Sequence, residues 1–134
     1  MRKCLLAAIF AGCLPFAVLA MPVGTAKREI DYLIGKIEHS GCRFERNGEA
    51  YDATQAGEHM RMKLNRAGDR IQTAENFIDG IASKSYLSGK PYRLLCPDLP
   101  AEDANAWLTR ALRDYRQSGA ASKQTAPTPP LMLK

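Results

Sequence analysis

An uncharged apolar run near the amino terminus fixes how much of this chain is left to fold. Met1-Arg2-Lys3 is a short basic start, and Cys4–Ala20 follows without a charge. Residues 1–20 hold 16 apolar residues, and Gly12 and Pro15 interrupt the run. A bilayer-spanning helix needs about 20 consecutive apolar residues. A basic start, a short apolar core and small or tolerated residues at −3 and −1 instead make a secretory signal. Val18-Leu19-Ala20 supplies that ending, so residues 1–20 read as a signal peptide cleaved after Ala20. Phe10-Ala11-Gly12-Cys13 resembles a lipobox and leaves lipidation at Cys13 as a minor alternative. The expected destination is the bacterial periplasm, with membrane contact only during export.

Removing that segment changes the composition that matters. The full chain carries 19 Lys+Arg against 14 Asp+Glu, and losing Arg2 and Lys3 lowers the formal charge from +5 to +3. So small a charge in an exported protein argues against a nucleic-acid partner. It fits an anionic envelope component, met through modest salt-sensitive attraction, or another periplasmic protein. Cys4 and Cys13 leave with the signal, so Cys42 and Cys96 are the two thiols that remain. Two thiols in an oxidising compartment are expected to form one disulfide. It closes a loop of about 55 residues, worth about 4 kcal/mol in the loop-entropy account.

Apolar spacing places four helices. Ile30, Leu33, Ile34 and Ile37 give a first helix over about 26–39, capped by Thr25 and stopped at Ser40-Gly41. Residues 42–51 read as extended, with a turn at Asn47-Gly48, a pair that tolerates positive φ. Asp52 and Gln55 have capping-box spacing before a second helix with the stripe Ala53, Ala56, Met60, Leu64, ending near Gly68. Thr73 caps a third, with Glu75 in its first turn. Tyr92, Leu94 and Cys96 alternate like a short strand. Pro100, Glu102 and Asp103 read as the first turn of a last helix. Its stripe runs through Ala104, Trp107, Leu108, Ala111, Leu112 and Tyr115, with Arg110, Arg113 and Arg116 on its other face. Residues 118–134 are polar and proline-rich, and read as a disordered tail. The expected fold is mainly α, a small four-helix domain over 21–117. Its two short extended segments pair as a minimal β-ribbon beside a Cys42–Cys96 bridge.

No catalytic motif stands out. Gly89-Lys90 is followed by Pro91 where a phosphate loop needs Ser or Thr. There is no Ser-x-x-Lys motif and no Gly-x-Ser-x-Gly elbow. His39, Cys42, His59 and Cys96 lack the paired spacing of a zinc site, so no metal and no cofactor are expected. His59 and Lys63 share one edge of the second helix, Arg66 lies near, and Arg70 continues that edge towards Glu75. A histidine beside a carboxylate can serve as a general base, and a solvated helix face explains the same residues. Residues 83–92 carry hydroxyls, lysines and tyrosines without an evident packing role.

Phe44-Glu45-Arg46-Asn47-Gly48, then Tyr51, Ala56, His59 and Lys63, Arg70–Ile78, Ile81–Ser85 and Ser88–Tyr92, resemble the YfeK-like family of small exported bacterial proteins with a domain of unknown function. The likeness spans about residues 30–115, with Met60 where the family has leucine. It implies export and the extent of the domain, and assigns no activity. It draws attention to Arg46, Asn47, His59, Lys63, Arg70, Glu75, Ser85, Lys90 and Tyr92 as candidate binding residues, with Arg70 a partner for Glu75. The sequence therefore favours a non-enzymatic binding or envelope-associated domain. The alternative is a small envelope hydrolase or lyase using His59 with Glu75, and Ser85 or Tyr92 as partner. No residue is assigned as catalytic.

Overall fold

A computed structural model describes residues 23–124, with side-chain environments from 24 to 119. The signal segment, the Cys13 alternative and residues 125–134 of the expected tail lie outside the described residues, whereas residues 118–124 of that tail are helical. The chain order is helix α1 (Val23–Glu38), strands β1 (Arg43–Arg46) and β2 (Glu49–Tyr51), helix α2 (Ala53–Ala67), a 3₁₀ turn (Gly68–Arg70), and helix α3 (Ala74–Phe77) running into a π-helical turn (Ile78–Ala82). Strands β3 (Arg93–Leu95) and β4 (Glu102–Asp103) follow, then helix α4 (Ala104–Gln124).

The apolar stripe of α1 is the axis of the core. Leu33, Ile34 and Ile37 are fully buried, with Ile30 nearly so. Phe77, Leu94 and Leu108 bring α3, β3 and α4 onto it. Gly41, at φ 66°, turns the chain out of α1 as expected. Thr25 does not cap that helix. Val23 is already helical, and the Thr25 hydroxyl accepts a hydrogen bond from Arg28 one turn on.

Asn47 and Gly48 lie at φ 53° and 87°, the double left-handed turn that joins two strands with a two-residue loop. That turn sets the register Phe44↔Tyr51 and Arg46↔Glu49. Asp52 then caps α2 in a complete box: its carboxylate accepts from Gln55 N at 2.8 Å, and its own N–H donates to the Gln55 side chain at 3.2 Å. Thr73 caps α3, its hydroxyl accepting from Asn76 N at 3.0 Å.

The expected ribbon is a four-stranded antiparallel sheet, in the order β2-β1-β3-β4. Cys42 and Cys96 are bonded just beyond the Arg43↔Leu95 end of the β1–β3 ladder. The extra strand corrects the reading of Glu102 and Asp103 as helical. They pair with Leu94 and Arg93, and α4 starts at Ala104. A favourable dipole in a first helical turn is worth a few tenths of a kcal/mol to about one. Here the ladder satisfies the same backbone. The Asp103 carboxylate then caps α4, accepting from Asn105 N at 2.9 Å, and Glu102 meets Arg110 through two bonds of 2.7 and 2.9 Å.

A second correction concerns Glu75. Arg70 bonds back to the carbonyls of Ala67 and Arg66, closing α2, and does not reach Glu75. Glu75 pairs with Arg116 at 2.6 Å. Arg116 also grips the buried Glu29 through two bonds of 2.8 Å, tying α4 to α1 and α3.

Candidate functional site

The tight turn places Arg46 beside α2. Residues two apart in a strand point to one face, so buried Phe44 carries Arg46 to the same side. Arg46 Nη1 donates to His59 Nε2 at 2.6 Å, and Nη2 reaches the Tyr51 hydroxyl at 3.5 Å. The guanidinium also lies 5.2 Å from the centre of the Tyr51 ring, within cation–π range. A guanidinium can only donate. At the shorter contact His59 Nε2 is therefore the acceptor and the ring is neutral; the same Nη1 lies 3.5 Å from Nδ1. Burial holds the imidazole below its ordinary pKa, and the charges of Arg46, Lys63 and Arg66 add to the effect.

Lys63 lies one turn further along α2. Its ammonium donates to the Ile81 carbonyl at 2.5 Å, with longer contacts of 3.4 Å to the Lys84 carbonyl and the Tyr92 hydroxyl. It thereby ties α2 to the exit of the π turn. Burial lowers the lysine's pKa, with Arg46 contributing. Burial raises that of Tyr92, whose ring the ammonium overlies at 5.2 Å.

The 83–92 loop is held against the hairpin turn. Ser85 N donates to Lys90 O and Gly89 N to Ser85 O, both at 2.9 Å. Asn47 donates to the Ser85 hydroxyl at 3.4 Å and accepts from the Ser88 hydroxyl at 2.6 Å. Ser85 is buried, so its hydroxyl is a fastening. Lys90 enters through its backbone and is otherwise exposed, and the loop projects Tyr86 and Leu87 into solvent.

Between hairpin and α2 lies an open cleft of about 360 Å³. Phe44, Met60, Met62 and Tyr92 give it apolar walls, and Arg46, Tyr51 and His59 line it with polar atoms. Arg46, His59 and Tyr92 are thus brought together in its lining, with Lys63 in contact with Tyr92, and Asn47 and Ser85 bonded to each other. Arg70 and Glu75 are not among them, since Glu75 lines a different depression with Arg116. Among the described residues no group of three or more His, Cys, Asp or Glu is placed to hold a metal ion.

Sequence reasoning missed Tyr51 and the buried Glu29–Arg116 pair. The signal for Tyr51 was present. A two-residue Asn-Gly turn forces Phe44 opposite Tyr51, which sets Tyr51 diagonally beside Arg46 on one face. Nothing in the spacing of Glu29 and Arg116, 87 positions apart, announces their pairing.

Residues 24–116 match the model of DUF5329, described as a family of unknown function. The chain belongs to that family. It is also 51% identical over 49 residues to the uncharacterized protein YfeK of Salmonella typhimurium, a stretch covering 37% of this chain and 41% of that protein. The match therefore spans less than half of its relative's length. No solved structure matches. This DUF5329 domain is accordingly read from its own geometry.

Proposed function

We propose that the chain is an exported periplasmic protein whose DUF5329 domain is a non-enzymatic binding module of the bacterial envelope. The observation that carries the reading is convergence. The Arg46–Gly48 turn, the His59/Lys63 edge of α2 and the Ser85–Tyr92 loop are far apart in sequence and bonded to one another, and each contributes one residue, Arg46, His59 and Tyr92, to the lining of one cleft. Export is supported by the Cys42–Cys96 disulfide, a feature of oxidising compartments. Among the described residues no helix is long and apolar enough to cross a membrane.

The hydrolase or lyase alternative finds no support. General-base chemistry needs a carboxylate or hydroxyl within hydrogen-bond reach of the histidine. Glu75 is bonded to Arg116, Ser85 is buried against Asn47, the Tyr92 hydroxyl meets Lys63, and the Nε2 of His59 already accepts from Arg46.

The test is an NMR titration of the oxidised chain with a low-molecular-weight extract of bacterial envelope. Binding is expected to shift the amides of Arg46, Tyr51, His59 and Tyr92 together, and Arg46→Ala is expected to suppress those shifts. An extract that leaves these amides unmoved overturns the binding reading.

A further inference from the structure

We propose that the Arg46 cleft binds a small amphipathic monoanion, a carboxylate or phosphate diester borne on a short aliphatic or aromatic body. The inference rests on the binding role argued above and specifies its ligand. Three features of the cleft point to that class.

The first is its walls. Phe44, Met60 and Tyr92 line the cleft with the small apolar area they leave uncovered, and Met62, 41% exposed, adds the most open apolar side chain of the lining. A fully hydrated ion gains nothing from such a surface, whereas a hydrocarbon body is drawn to it. Methionine side chains also adapt to ligands of varied shape.

The second is charge. Arg46, Lys63 and Arg66 all act on the His59 ring with the same sign, a field that disfavours a cationic ligand. Arg46 has five N–H donors and directs them at His59, at longer range at Tyr51, and towards the Tyr92 hydroxyl, which still leaves donors for an oxyanion. A neutral His59 adds no second positive charge, so the site suits one negative charge better than two. Two carboxylate residues, Glu45 and Glu58, also line the cleft; Glu58 is exposed to water, which screens it, and strand alternation directs the Glu45 side chain away from that of Arg46. Glu49 accepts from the Tyr51 hydroxyl.

The third is size. At about 360 Å³ the open cleft falls near the lower end of the roughly 300–1,000 Å³ range of small-molecule sites.

The experiment compares three probes of one length, octanoate, octan-1-ol and octylammonium. Each is titrated into the oxidised chain at pH 7.5 and followed by amide chemical shifts. Octanoate is expected to move Phe44, Arg46, Tyr51, His59 and Met60. Octan-1-ol should move the same residues at least tenfold more weakly, and octylammonium none of them. Arg46→Gln should bring octanoate down to the level of the alcohol and leave the alcohol unchanged. Arg46→Lys, with charge but no fork, should retain part of the preference for the acid. Equal binding of acid and alcohol, or an Arg46→Gln variant that binds octanoate as before, overturns the anion assignment and leaves the cleft a binding site. Silence from all three probes while envelope extract still shifts the cleft also overturns it. Silence towards the extract as well is the separate failure of the binding reading itself.

Discussion

Arg46 and His59 share a short hydrogen bond, 2.6 Å from Nη1 to Nε2, and its direction fixes the ring as neutral. Protonation at Nε2 would put two donors face to face. The folded chain therefore binds this proton less readily than the unfolded chain, and burial reinforces the difference. Stability from His59 is complete above its unfolded pKa of about 6.5. It declines as pH falls below that value towards the lowered folded pKa. Urea midpoints measured between pH 7 and 5 are expected to fall for the wild type and to fall less for His59→Gln, which keeps an acceptor and cannot ionise. Parallel pH profiles for the two proteins would show that the ring is not held neutral.

Arg116 sustains the other end of the domain. Glu29 is buried, and the arginine satisfies both of its carboxylate oxygens. Arg116→Met leaves that carboxylate without its countercharge, which costs about 3 kcal/mol by the behaviour of broken buried pairs. Arg116 is itself partly exposed, with 36% of its side chain accessible, so the lower end of the usual range applies. Changing Glu29→Met as well is expected to recover most of the loss, since two apolar side chains replace an ion pair at little cost. Chemical denaturation of the wild type, the single variant and the double variant reads this directly. A double variant no more stable than the single would place the role of Arg116 elsewhere.

These two pairs mark what the sequence could and could not convey. Helix positions followed from local chemistry: the α1 stripe, the Asp52–Gln55 box and the Thr73 cap all lie within one turn of the residues they organise. The Asn47-Gly48 turn was legible for the same reason, and with it the cysteine pairing, since only two thiols remained. The fourth strand was not. Glu102 and Asp103 suit a helix start equally well, and pairing with Arg93 and Leu94 across the sheet decided between the two. Arg46 and His59 were each visible as candidates, yet their bond depends on how β1 crosses α2. Glu75 was assigned to Arg70 by proximity in sequence, and long-range packing gave it to Arg116.

Reduction of the disulfide is expected to weaken the fold without redirecting it. Cys42 and Cys96 extend a ladder that already pairs Arg43 with Leu95 and Phe44 with Leu94. The strands are held by main-chain bonds and by the buried contact of Phe44 and Leu94. A loop of 54 residues contributes about 4 kcal/mol through the unfolded state, a sizeable share of a total of about 5–15 kcal/mol. The Cys42→Ala/Cys96→Ala variant should keep its far-ultraviolet circular dichroism near the native spectrum at low temperature. Its denaturation midpoint should fall sharply and become insensitive to reductant. A variant as stable as the oxidised wild type would mean that the crosslink restrains little.

Asn47 does two jobs, and two substitutions separate them. Its backbone sits at φ 53°, and its side chain fastens the 83–92 loop through Ser85 and Ser88. Asn47→Gly keeps the turn and loses the fastening. Asn47→Ala loses both, and a residue with Cβ but no local polar group costs about 1 kcal/mol more at positive φ. Both variants are expected to speed amide hydrogen exchange at Ser88, Gly89 and Lys90. Asn47→Ala alone should also loosen the β1–β2 ladder and lower global stability beyond the glycine variant. If the glycine variant leaves loop exchange unchanged, the hydrogen bonds within the loop, Ser85 N to Lys90 O and Gly89 N to Ser85 O, are enough to hold it. The cleft would then be organised by Arg46, His59 and Lys63 without help from the turn.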